Sequence, residues 1–107
     1  MNKMNISLFF LTCADAKEAE KISQVLLKKR LVACIKKIPI SSSFLWKGEI
    51  NNDDEIMLIM DSREELFEEI EKEIAKHHSY DKFVLVTLPI SKVSQGIKEW
   101  LEDELKN

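Results

Sequence analysis

The sequence predicts an α+β fold, a single domain over residues 1–107 in which helices cover one face of a four-stranded sheet. Three observations predict it. Apolar runs of strand length alternate with segments of helical period in the order β-α-β-β-α-β, and a third helical segment follows. Two of the helical segments open on a capping signature, Asp15 with Glu18 and Ser62 with Glu65. Between them, Phe44 and Trp46 recur at period two, which places both aromatic rings on one face of a strand.

Residues 6 to 13 are apolar and rich in β-forming types, which suits a central strand buried on both faces. Asp15 then caps a helix that runs to about Arg30, with Ala19, Ile22, Leu26 and Leu27 on one side. Val32 to Ile38 form the second strand, Pro39 breaks it, and Ser42 to Ile50 continue it. The polar tetrad Asn51 to Asp54 is expected to make the reverse turn into a third strand, Glu55 to Met60, giving a long antiparallel hairpin. Ser62 opens the second helix, whose stripe is Leu66, Phe67, Ile70 and Ile74 and whose end falls near His77 and His78. Phe83 to Leu88 form the fourth strand, closed by Pro89. The last helix starts at Ser91 or Ser94 and is expected to bury Ile97, Trp100, Leu101 and Leu105. This order is the split βαβ arrangement of ferredoxin-like folds. Its second sheet face carries Phe and Trp side chains on a hairpin too long for one small domain to cover, so association through the sheet is expected.

Composition narrows the partners. With 45% hydrophobic and 33% charged residues the chain is of globular type, and 16 Lys and Arg against 19 Asp and Glu give a net charge of -3. Acids interleave with the bases, so neither nucleic acid nor an anionic membrane is expected as a partner. Two cysteines, Cys13 and Cys34, make no disulfide framework; reduced thiols and a cytoplasmic location are expected. No Ser-His-Asp or Cys-His arrangement can be assembled from the spacing and there is no Gly-rich phosphate loop, so no enzyme is expected.

Four segments together resemble the CutA divalent-ion tolerance family over nearly the full length: Thr12-Cys13-Ala14-Asp15; Arg30-Leu31-Val32-Ala33-Cys34; Ser42 to Ile50 with Phe44, Trp46, Gly48 and Glu49; and His78-Ser79-Tyr80-Asp81 ahead of Leu88-Pro89-Ile90. Trp100 matches a further family tryptophan. The resemblance implies a ferredoxin-like homotrimer with long strands shared between subunits, and a role in tolerance of divalent metals, copper above all. It also implies a site for copper or another divalent transition metal at Cys13, His77 and His78. Thiolate and imidazole are ligands of the right softness for such ions. Neighbouring histidines point about 100° apart on a regular helix, so both reach one metal only if the helix has ended by His77. Otherwise they are a helix C-terminal pair placed against the dipole. Cys34 reads as core, with nothing basic beside it; Cys13, next to the first helix's positive end, reads as the more reactive thiol.

The chain also departs from the family. It has Asp61-Ser62 where members usually carry Lys-Thr, and Phe83-Val84 where they carry a Pro-Glu pair, which affects any pocket built from those residues between subunits. The alternative reading is a trimeric regulatory or scaffolding module in the manner of PII signalling proteins, acting on a protein partner.

Overall fold

The computed structural model describes residues 4–107, so the first three residues of the expected domain lie outside the described residues. The chain folds as β1 (Ile6–Cys13), α1 (Ala16–Lys28), β2 (Cys34–Trp46), β3 (Glu49–Arg63), a 3-10 turn (Glu64–Leu66), α2 (Phe67–Ala75), β4 (Leu85–Pro89) and α3 (Ile97–Glu104). The strands form one antiparallel sheet in the order β2-β3-β1-β4. This is the ferredoxin-like order expected from the sequence.

The core lies between this sheet and the helices. Along β1, Ser7, Phe9, Leu11 and Cys13 are buried in strict alternation and meet Leu58 and Met60 of β3 across the ladder. Ala19, Ile22 and Leu26 of α1, then Ile70 and Ile74 of α2, close over them. Phe9 stacks on Phe67 at 5.8 Å. The expectation that β1 is buried on both faces needs correction: Leu8, Phe10 and Thr12 are only half-buried, because among the described residues no helix lies on their side.

α1 begins on the expected cap, with the Glu18 N–H donating to Asp15 Oδ1 at 2.8 Å. It ends in a Schellman arrangement: Arg30 at φ 57° and Leu31 donate to Leu27 and Leu26, and the Leu31 side chain is buried.

The second capping signature does not cap a helix. Ser62 is inside β3, paired with Ser7, and its hydroxyl donates to the Leu31 carbonyl at 2.6 Å, which satisfies a buried polar group in the core. Glu65 instead accepts the Asn5 N–H at 3.1 Å. α2 therefore starts at Phe67, and α3 starts only after Gly96, at φ 89°, later than either serine proposed for it. Trp100 stays 38% exposed, while Leu101 and Leu105 are buried as expected.

Two further differences concern the hairpin. Pro39 does not break β2, which runs unbroken from Cys34 to Trp46; β2 is an edge strand, where a proline's missing donor is tolerated. The reverse turn is at Lys47 and Gly48, with φ of 52° and 81°, and Asn51 to Asp54 are strand residues paired with Ser41 to Phe44. Positive φ at both central residues is the two-residue turn whose twist matches antiparallel strands. β1 accompanies β3 only from Ile56 onward, so residues 40–46 and 49–55 form a two-stranded ribbon beyond the sheet. The ribbon stretches the molecule to 48 × 26 × 21 Å. At its tip Leu45 and Ile50 are 74% and 76% exposed.

Candidate metal centre

β1 ends at Cys13, and the capping turn at Asp15 folds α1 back so that Glu18 lies over that strand end. α2 has already ended at Ala75 when the chain reaches the histidines, so they sit in a turn and their directions are free of helical geometry. His78 turns inward, its side chain fully buried, and stacks on Phe83 at 5.1 Å. Cys13 Sγ, a Glu18 carboxylate oxygen and a His78 ring nitrogen all lie within 4.8 Å of one another.

Two of the three residues expected from the resemblance, Cys13 and His78, are thus brought together. His77 is not in the group: its Nε2 lies 3.8 Å from Glu73 Oε1 on α2, as in the helix C-terminal alternative. Glu18 takes the third place. Its place in the capping box hides this second role, yet a capping carboxylate reaches back to the chain entering the helix, and here that chain is the Cys13 strand end. Its Oε2 accepts the Ala14 N–H at 2.7 Å and its Oε1 the Ser79 N–H at 2.6 Å, so Glu18 ties the histidine turn to β1.

The hydrogen bonds fix the imidazole's state. Nε2 lies 2.8 Å from the Thr12 carbonyl and must donate to it, while Nδ1 accepts the Tyr80 N–H at 3.1 Å and faces Glu18 Oε2 at 3.7 Å. The ring is therefore the neutral Nε2–H tautomer. A histidine whose far nitrogen donates to a backbone carbonyl is oriented as metal-ligating histidines are.

Burial, reinforced by Glu18, Asp15 and Glu55, pushes the Cys13 thiol up to about 12. The expectation of a reactive thiol at the helix's positive end is overturned, because desolvation and three carboxylates outweigh the dipole. Burial also pushes Glu18 up, but the hydrogen bonds it accepts from Ala14 and Ser79 prevail and leave it below the usual carboxylate value. Burial and its bond to Glu55 push the Tyr80 phenol up to about 12; its hydroxyl donates to Glu55 Oε2 at 2.9 Å. The pocket is thus rich in negative charge around a protonated thiol, an environment that favours a cation able to displace that proton.

A thiolate, an imidazole and a carboxylate fit a borderline divalent cation in donor type. The Glu18 oxygens keep spare lone pairs beyond the bonds they accept.

Beside this group a cleft of about 620 Å³ opens under the ribbon, lined among others by Thr12, Phe44, Trp46, Glu55, Tyr80 and Val84. Tyr80 belongs to both the cleft wall and the histidine turn. Of the departures from the family pattern, Phe83 supplies the ring stacked on His78, Val84 lines the cleft, and Asp61 pairs with Lys36 at 3.4 Å. Cys34 also differs from expectation: it is half-buried on the sheet face away from the helices, and Lys36 Nζ lies 3.7 Å from its sulfur.

The family described as CutA1 divalent ion tolerance protein matches residues 7–104 of this chain. The divalent-cation tolerance protein CutA of Archaeoglobus fulgidus is 31% identical over 100 residues, covering 94% of this chain and 98% of its own. That of Thermotoga maritima is 34% identical over 98 residues, covering 92% and 97%. The solved structure of the periplasmic divalent cation tolerance protein CutA from Archaeoglobus fulgidus superposes with a TM-score of 0.91 at 31% identity, over 94% of this chain and 99% of that one.

Proposed function

We propose that this chain, which belongs to the CutA1 divalent ion tolerance protein family, binds a divalent transition metal, copper above all, at Cys13, Glu18 and His78. The observation that carries this reading is the convergence of a thiol, a carboxylate and an oriented imidazole at one buried point. Cys13, giving up its proton to solvent, Glu18 through a spare lone pair and His78 through Nδ1 would hold the ion, with the Thr12 carbonyl keeping the other ring nitrogen in place. A divalent cation held there would offset the negative charge of Glu18, Asp15 and Glu55. The family match favours this over the PII-like regulatory alternative.

The reading is of a binding protein and not an enzyme. Cys13 lies beside a histidine as a nucleophile would, yet it stays protonated to about pH 12, the opposite of an activated thiol. We further propose a homotrimer. Among the described residues, Leu8, Phe10, Ile38, Ile59, Val86 and Leu88 form a helix-free apolar face, and no third strand lies beside the two-stranded ribbon. Two unpaired thiols support a reducing, cytoplasmic location, which cell fractionation tests.

Isothermal titration with copper and zinc tests the site. Cys13→Ala and His78→Ala are each expected to weaken binding by about tenfold or more, and His77→Ala to leave it unchanged. Undiminished binding in both of the first two variants would sink the assignment.

A further inference from the structure

We propose that Tyr80 is the gating residue of this cation group, and that loading the group moves Tyr80 and so remodels the cleft beside it. The proposal rests on the reading of Cys13, Glu18 and His78 as ligands. A neutral imidazole has one free lone pair, and in this tautomer it is on Nδ1, the nitrogen that faces Glu18. That lone pair is already taken by the Tyr80 N–H at 3.1 Å. The Glu18 oxygens accept bonds from Ala14 and Ser79 and can accept more, so neither of those bonds has to break. Ligation through His78 Nδ1 therefore exchanges one hydrogen bond, and it belongs to Tyr80.

Tyr80 is held at its other end as well. Its hydroxyl donates to Glu55, a residue only 7% exposed, and its ring lies 5.0 Å from the His78 ring. Releasing the backbone N–H thus pulls against the Glu55 anchor, and that anchor sets how hard the ligand position is to open. Because Tyr80 and Trp46 line the same cleft, a displaced Tyr80 changes the surroundings of Trp46, on a different element from all three ligands. The cleft then reports whether the cation group is filled.

The test uses zinc, whose closed shell does not quench fluorescence by itself, and the full chain carrying Trp100→Phe so that Trp46 is the only indole. Calorimetry and Trp46 emission are followed in the same titration, with and without Tyr80→Phe. The expected result is an emission shift that saturates with the calorimetric stoichiometry, and zinc affinity about tenfold higher in Tyr80→Phe, since the Glu55 anchor is gone. A residue that merely supported the fold would weaken binding when changed. Zinc binding that depends on Cys13, with no emission shift and no gain in Tyr80→Phe, overturns the gate while the ligand assignment stands. Absence of any Cys13-dependent zinc binding overturns the assignment and the gate with it.

Discussion

Cys13 and Tyr80 share an unusual condition: both stay protonated in the fold to about pH 12, Cys13 by burial and acid neighbours, Tyr80 by burial and its bond to Glu55. In the unfolded chain a thiol ionises near 8.5 and a phenol near 10, in round numbers. The folded state then binds more protons than the unfolded one at high pH, so stability falls as pH rises. It is fully present below about pH 8.5 and is lost through the window up to about pH 12. The urea midpoint is therefore expected to drop steadily across that window, and Cys13→Ala or Tyr80→Phe to flatten its share of the drop; parallel pH profiles in wild type and both variants would refute the assignment. Glu18 acts in the opposite direction. Its lowered value means stability present above the ordinary carboxylate range and lost as pH falls through the folded value. At this scale the sequence supplied donor types but not their partners. Cys13 and His78 could be named from a resemblance, whereas Glu18 was hidden behind its capping role and His77 was drawn away by Glu73.

The hairpin is the element where local rules were overruled most. Asn51 to Asp54 have the composition of a turn, yet each pairs with a β2 residue, and Ser41 and Ser43 donate side-chain bonds to Asp54 and Asn52 across the ladder. Those cross-strand bonds let polar residues serve as strand. The turn went to Lys47 and Gly48 because a glycine is where positive φ costs least. Lys47 also adopts positive φ, without glycine's freedom, so Lys47→Asn is expected to stabilise by several tenths up to about 1 kcal/mol. Gly48→Val is expected to destabilise by about 1–2 kcal/mol from backbone strain alone, since a Cβ at Gly48 would meet no neighbour. Urea denaturation of the two variants measures both. Equal stability in wild type and Gly48→Val would contradict the turn assignment.

For the whole molecule, the question is what covers the second face of the sheet. Val86 is 46% exposed there and faces Phe10 across the β1–β4 ladder, so charge at that position leaves the helix-covered core untouched. For the proposed homotrimer, Val86→Glu is expected to keep the far-UV spectrum and the fold while light scattering shows the assembly giving way to monomer; an unchanged mass would count against assembly through this face. The sequence by itself determined the element order, the ferredoxin-like topology, the cap at Asp15 and most of each helix's buried stripe, though Leu27 and Trp100, expected in those stripes, are 37% and 38% exposed. These follow from periodicity and short-range hydrogen bonding, which are properties of neighbouring residues. Only the tertiary structure decided that Pro39 passes through an edge strand and that Ser62 belongs to β3. It alone brought Glu18, and not His77, to Cys13 and His78. Each of these depends on which groups from distant parts of the chain satisfy a buried donor, acceptor or charge: Ser62 finds the Leu31 carbonyl, Glu18 the Ser79 amide, and His78 the Thr12 carbonyl. Such pairings exist only once the sheet has closed.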